Sequence, residues 1–189
     1  MAPSPSHSKR PPALRLVTEG ETAPLPPLSD FDAVFHRFAP YVATIGLRIL
    51  GGDGEVDDLV QEVFFEAHRG LDNLRSPDAI KGWLARICVR KATRRLRRRR
   101  LRALFRAEPI DDYAQLADAS ASPEQAAQVA SAYRLLSTLP ADERVVWVLR
   151  HVEGHSLDEL TELCHCSQST VQRRLRAAEQ KLEKGKIHG

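Results

Sequence analysis

Apolar residues recur at three- and four-residue steps through most of this chain, and no stretch shows the strict alternation of a half-buried strand. Phe31, Val34, Phe38, Tyr41, Ile45 and Ile49 form the first such stripe. Ser29 is placed to cap that helix and Gly51-Gly52 to end it. A second stripe uses Val56, Leu59, Val60, Val63 and Ala67, while Asp53, Glu55, Asp57, Asp58, Glu62 and Glu66 make the other faces acidic. Ser76-Pro77 then reads as an N-cap with proline in the first turn. The helix that follows turns Ile80, Trp83, Leu84, Ile87 and Cys88 inward before it enters an arginine block.

From Phe105 to Ser122 the period disappears and the residues become small and acidic, which predicts an interdomain linker. Ser122-Pro123-Glu124-Gln125 restarts a helix with a capping box and the stripe Val129, Tyr133, Leu136. Leu139-Pro140 breaks it, and Val145, Val148, Leu149 and Val152 mark another helix that Gly154 stops. Ser156-Leu157-Asp158-Glu159 is a full capping box for a short helix. Cys164-His165-Cys166 forms a turn, and Ser167 caps a longer helix with Val171, Leu175, Ala178 and Leu182 on one side. A short helix, a tight turn and a second capped helix predict a helix-turn-helix. At about 100° per residue, Ser169, Gln172, Arg173, Arg176 and Gln180 project away from the apolar stripe. That face suits a major groove, where Arg pairs with guanine and Gln with adenine.

Composition narrows the class. The 189 residues are 42% hydrophobic, 6% aromatic and 28% charged, enough for modest helical cores and thin for a β-sandwich. Seven of the 12 prolines fall in the first 29 residues, which have no apolar stretch of the secretory kind. This predicts a disordered tail over 1–28 and a cytoplasmic protein without a membrane span. Three cysteines build no disulfide framework. The net charge of +3 hides an asymmetry: 11 Lys and Arg and no acid lie between Arg86 and Arg106. Removing them from the 28 basic residues leaves 17 against 25 Asp and Glu. A cationic block on an acidic chain points to one localised polyanion contact.

In this order, these segments resemble a bacterial sigma-70 family sigma factor of the extracytoplasmic-function (ECF) type. Asp57-Asp58-Leu59-Val60-Gln61-Glu62-Val63-Phe64 is similar to the family segment that docks on the β′ clamp helices of RNA polymerase. Gly82 to Ile87, running on to Arg94-Arg95-Leu96, is similar to the helix that opens the promoter −10 element. Leu139-Pro140, Glu143-Arg144 and Ser167 to Leu175 resemble the domain that reads the −35 element. The resemblance implies an all-α fold: two small helical domains, 29–104 and 123–185, joined by a flexible linker over 105–122, the second a helix-turn-helix. It implies core polymerase (β′ clamp helices and β subunit) and promoter DNA as partners, with an anti-sigma factor as a candidate regulator. It implies recognition in place of catalysis, no cofactor and no metal.

Residue by residue, the resemblance assigns polymerase docking to Asp57, Asp58, Gln61, Glu62 and Phe64. It assigns −10 DNA to Trp83, Arg86, Arg90, Lys91, Arg94 and Arg95, with Arg97 to Arg100 as a less specific phosphate attraction. It assigns −35 DNA to Ser169, Thr170, Gln172, Arg173, Arg174 and Arg176. The chain departs from the family at His165, where glycine is usual, at Thr161, where alanine is usual, and at Ser169, another common glycine. No accessory domain is expected after the second unit, the sequence ending at Gly189.

Two other readings compete. His151-Val152-Glu153 followed by Cys164-His165-Cys166 has the flavour of a zinc deaminase, but that pattern needs Pro-Cys with a second cysteine three positions on. Cysteines two apart at a turn point to core or turn residues. A stand-alone helix-turn-helix transcriptional regulator would share the C-terminal half, yet has no use for the acidic Asp57-to-Phe64 helix beside Trp83 and the arginine block.

Overall fold

The structure, a computed structural model, describes residues 25–27, 30–71, 74, 76–103, 113–116 and 121–187. Among these are seven α-helices and no strand: α1 (Phe31–Leu50), α2 (Val56–Gly70), α3 (Ile80–Ala103), α4 (Pro123–Ser137), α5 (Ala141–His151), α6 (Leu157–Cys164) and α7 (Gln168–Ile187). Most of the tail and of the linker, and the cap predicted at Ser29, lie outside the described residues. The α1 cap is Asp30, whose carboxylate accepts from Ala33 N–H at 2.9 Å.

Helix ends follow the local chemistry of the sequence. Gly51 closes α1 in the left-handed region, at φ 75°. Both capping boxes form: Ser122 exchanges bonds with Gln125, and Ser156 with Glu159. Ser167 accepts from Thr170 N–H at 3.3 Å, starting α7. Ser76 is extended and makes no side-chain cap; Pro77–Ala79 form a 3₁₀ turn that leads into α3.

Helices α1, α2 and α3 pack on one another as one domain, and α5, α6 and α7 as a second. The two domains also pack together, α3 lying against α5 and α6 and α1 against α5, so their buried side chains form one continuous core. Within the predicted linker, Tyr113–Leu116 form a 3₁₀ turn, and Tyr113 is buried in a stack on Tyr133 of α4 with ring centroids 5.9 Å apart. α1 and α2 approach closely at Gly46, where a Cβ would come within 2.7 Å of the fully buried Leu59 side chain.

The turn of the helix-turn-helix has its cost in one residue. His165 sits at φ 49°, ψ 52°, the left-handed geometry that an L side chain adopts with strain, and its N–H bonds Thr161 C=O to close α6. The His165→Gly substitution should therefore stabilise the protein, by up to about 1 kcal/mol after glycine's greater unfolded-state entropy is subtracted. A thermal melt checks it. An unchanged or lower midpoint would show that the His165 side chain contributes contacts outweighing the backbone strain.

Candidate nucleic-acid interface

Helix α3 carries 11 Lys and Arg and no acid over 24 residues, while one of its stripes is buried. That stripe is Ile80, Leu84, Ile87, Cys88, Ala92, Arg95 and Leu96. Arg95 therefore points inward, only 6% exposed. Its Nη2 lies 2.8 Å from Glu62, and its Nη1 donates to Glu55 C=O at 3.1 Å, while its Nε has no hydrogen-bond partner among the described residues. One turn earlier, Arg90 and Lys91 hold Glu66, the latter at 3.2 Å. Burial alone would raise the Glu66 pKa, but the hydrogen bonds from Lys91 and Arg90 outweigh it and hold the carboxyl below its ordinary value. The acidic side of α2 thus partly neutralises the basic side of α3.

The residues assigned to the −10 element separate into two groups. Arg86 and Arg94 are exposed, and Trp83 is half-buried with its ring over Gly70, where a Cβ would lie 3.0 Å from it. Arg90, Lys91 and Arg95 are engaged by α2 carboxylates. Farther along, Arg97 pairs with Asp142 and Arg99 reaches Glu55 and Leu50 C=O, while Arg98 and Arg100 are exposed.

On α2, Asp57, Asp58, Gln61 and Glu62, which the resemblance assigns to polymerase docking, are exposed. Asp57 and Asp58, with Asp53, also line an open groove of about 660 Å³ between α1 and α2. Phe64 is different: it is 3% exposed, packed edge-on against Phe35 and Phe31 at 4.8 and 6.2 Å, because it continues the Val60 stripe four residues on. Its neighbour Phe65 stands 65% exposed, covered on one side by the Arg69 guanidinium at 4.7 Å. Seven residues from Asp58 is almost two full turns, so Phe65 shares the Asp58 face. That spacing places Phe65, rather than Phe64, on the acidic face.

On α7, Val171, Leu175 and Ala178 are buried, and the opposite side is a shallow groove of about 390 Å³ lined by Ser169, Gln172, Arg173, Arg176, Ala177 and Gln180. Arg173 and Arg176 are exposed. Thr170 and Arg174 lie on the flanks: Thr170 Oγ1 is 3.0 Å from Ser167 Oγ, and Arg174 reaches Asp142 and the Cys166 sulfur. Cys164 is largely buried, and burial pushes its thiol up to about 12. No group of three His, Cys, Asp or Glu suited to a metal occurs among the described residues.

No sequence pattern announces the contacts between domains. Arg48 of α1 pairs with Glu153 after α5 at 2.6 Å, with both side chains 12% exposed. Arg144 of α5 is 4% exposed, its guanidinium 6.0 Å from the Tyr133 ring centroid; a Cβ on Gly51 would strike Arg144, Tyr113 and Tyr133 together. Its Nε and Nη2 have no hydrogen-bond partner among the described residues, and burial pulls its pKa down.

Such an arrangement defines a two-domain helical protein with a cationic helix on one domain and a helix-turn-helix with an exposed polar face on the other. The Sigma-70 region 2 family matches residues 34–102, and the Sigma-70 region 4 family matches residues 130–182. The chain is 28% identical over 152 residues to the ECF RNA polymerase sigma factor SigM of Mycobacterium tuberculosis, covering 80% of this chain and 74% of that one. It is 29% identical over 165 residues to the ECF RNA polymerase sigma-E factor of Escherichia coli K12, covering 81% and 84%. The sigma factor RpoE, solved in complex with the anti-sigma factor NepR from Bartonella quintana, shares the fold with a TM-score of 0.61 at 20% identity, over 82% of this chain and 96% of that one. CnrH, solved in complex with the cytosolic domain of CnrY, aligns with a TM-score of 0.55 at 29% identity, over 82% and 85%. The chain belongs to the sigma-70 family, as a sigma factor of the ECF type.

The pairing across α2 and α3 makes Glu62 structural as well as exposed. Glu62→Gln should cost about 1–3 kcal/mol, since it leaves the buried Arg95 charge less well compensated. Urea unfolding measures the loss. A change below a few tenths would mean that Glu55 alone suffices for Arg95.

Proposed function

We propose that this sigma factor lends promoter recognition to core RNA polymerase through three separate surfaces. Asp57, Asp58, Gln61 and Glu62 form an acidic docking face on α2 for the clamp helices of β′, with Phe65 about one turn beyond Glu62 as an apolar anchor. Trp83, Arg86 and Arg94 face the −10 element, with Arg90 and Lys91 able to exchange Glu66 for phosphate. Ser169, Gln172, Arg173 and Arg176 read −35 base edges, flanked by Thr170 and Arg174 against phosphate. The observation that carries this reading is the side-by-side placement of an acidic face and a cationic helix on one domain, with a separate exposed reading helix on the other.

Each surface works by recognition, with no bond made or broken. Charge on α3 offsets phosphate, and bases of the non-template strand unstack against it. Its place of action is the cytoplasm, with the polymerase; no helix among the described residues is long and apolar enough to cross a membrane. An anti-sigma factor of the kind seen with RpoE is a fitting regulator, because the face that docks polymerase is open to competition. Residues 29–104 and 123–185 serve as the two working domains, with 105–122 between them.

Run-off transcription with purified core enzyme and genomic fragments tests the reading: discrete start sites should appear only when this protein is present. Asp58→Lys and Phe65→Ala should each weaken capture of core enzyme while leaving helical content intact, and undiminished capture by both would remove α2 from the docking role.

The reading helix gives a sharper expectation. A base-reading arginine typically contributes about 1–3 kcal/mol of discrimination, whereas a phosphate contact weakens all sequences alike. Arg173→Ala or Arg176→Ala should relax preference at one or two −35 positions, and Arg174→Ala should lower binding uniformly. Transcription from a library of randomised −35 elements separates these. Unchanged base preference in both the Arg173 and Arg176 variants would place the wrong face of α7 on DNA.

A further inference from the structure

One carboxylate is held by two helices that the proposed function directs to different stretches of DNA. Asp142, in the first turn of α5, accepts from Arg97 Nη2 through both oxygens at 2.8 Å and lies 3.3 Å from Arg174 Nη2. Arg97 belongs to the cationic half of α3, and Arg174 to the flank of α7. Guanidinium groups converging on a planar anion at such distances reproduce the way they would grip a phosphate.

An acid at the start of a helix is ordinary, because it favours the positive end of the helix dipole. That explains an acid at position 142 but not the two arginines drawn to it from separate elements. Its neighbour supplies the contrast. Glu143, in the same turn, takes Lys181 of α7 through both oxygens at 2.7 Å, a pairing confined to one domain. Asp142 instead links a residue of the reading helix to one of α3.

Resting on the function proposed above, we infer that Asp142 is an intramolecular stand-in for promoter phosphate, an autoinhibitory contact that masks Arg97 and Arg174 while the two domains are closed. The Arg97 side chain is 57% exposed, so the bridge is a surface contact that salt screens and a polyanion displaces. Packing of α5 and α6 over α3 keeps the arginines and the carboxylate in register. DNA then has to displace Asp142 before both arginines are available, which lowers apparent affinity by the fraction of molecules closed.

The test uses the full chain as wild type, Asp142→Asn and Glu143→Gln, the two substitutions each removing one negative charge from the same helix turn. Binding to a labelled duplex of arbitrary sequence is followed by fluorescence anisotropy across a salt series, with thermal melts to establish folding. The Asp142→Asn variant should bind about threefold tighter or more, with a steeper loss of affinity as salt rises. Glu143→Gln should stay near wild type, and adding Arg97→Gln to Asp142→Asn should remove part of the gain. Equal tightening in both single variants would reduce the effect to bulk charge and overturn the bridge, as would no tightening in a folded Asp142→Asn protein. Core-dependent transcription by wild type, scored in parallel, separates this from the sigma reading. Transcripts without an Asp142→Asn effect overturn the bridge alone; an Asp142→Asn effect without transcripts keeps the bridge and overturns the sigma role.

Discussion

The structure turns on a constraint at α3: a helix with 11 cations and no acid of its own must bury one side in a core. Like charges one turn apart on a helix repel, and the buried stripe leaves no room for all of them to reach water. The solution is external. Glu55, Glu62 and Glu66, from the start of α2 and along it, hold Arg95, Arg99, Lys91 and Arg90. Arg95 is the extreme case, a guanidinium inside a core, tolerable because a carboxylate and a backbone carbonyl meet it. The acids that look from sequence like a docking face are therefore also the counterions of the cationic helix. In the proposed function docking and DNA contact meet at Glu62, so a polymerase group that engages it would also loosen Arg95.

Much of this fold was legible because its determinants are local. Capping boxes at Ser122 and Ser156, the left-handed turn at His165 and the apolar stripe of α7 depend on residues within four positions of each other, and the structure holds each of them. What escaped depends on packing. Phe64 and Phe65 are chemically the same, and beyond the Val60 spacing it is the packing of Phe31 and Phe35 that completes the burial of Phe64. Arg95 reads as one more surface cation until α2 is laid against it. Asp142, Arg48 and Glu153 carry no pattern at all, since their partners lie 105 residues apart in one pair and 45 in another.

The linker shows the same limit from another side. Loss of helical period between Phe105 and Ser122 predicts a change of regime, but period says nothing about where a short turn will dock. Tyr113 is buried against Tyr133, whose hydroxyl pKa burial pushes up to about 12. Together with Gly51 they enclose Arg144, so linker, first domain and second domain meet around one guanidinium. Glycine at position 51 serves two ends there, a left-handed helix cap and the close approach of a neighbouring domain.

That meeting point also limits how tightly the two domains hold. Each buried guanidinium nitrogen left without a partner costs about 1–3 kcal/mol, and among the described residues Arg144 has two such atoms beside its hydrogen bond with Tyr113. An exposed pair such as Arg97 with Asp142 returns about 0–1 kcal/mol. The polar part of the interface is thus close to neutral or unfavourable, and closure rests on apolar contacts among α1, α3, α5 and α6 together with the better-shielded Arg48–Glu153 pair. A sigma factor that must set one domain on the −10 element and the other on the −35 element, about three helical turns of DNA away, needs domains that separate. An interface apolar enough to form, yet burdened by a buried charge without full compensation, is one that solvent and a polyanion can reopen: water reaches Arg144 as soon as Gly51 and the tyrosines part, and phosphate replaces Asp142 on the arginines it releases.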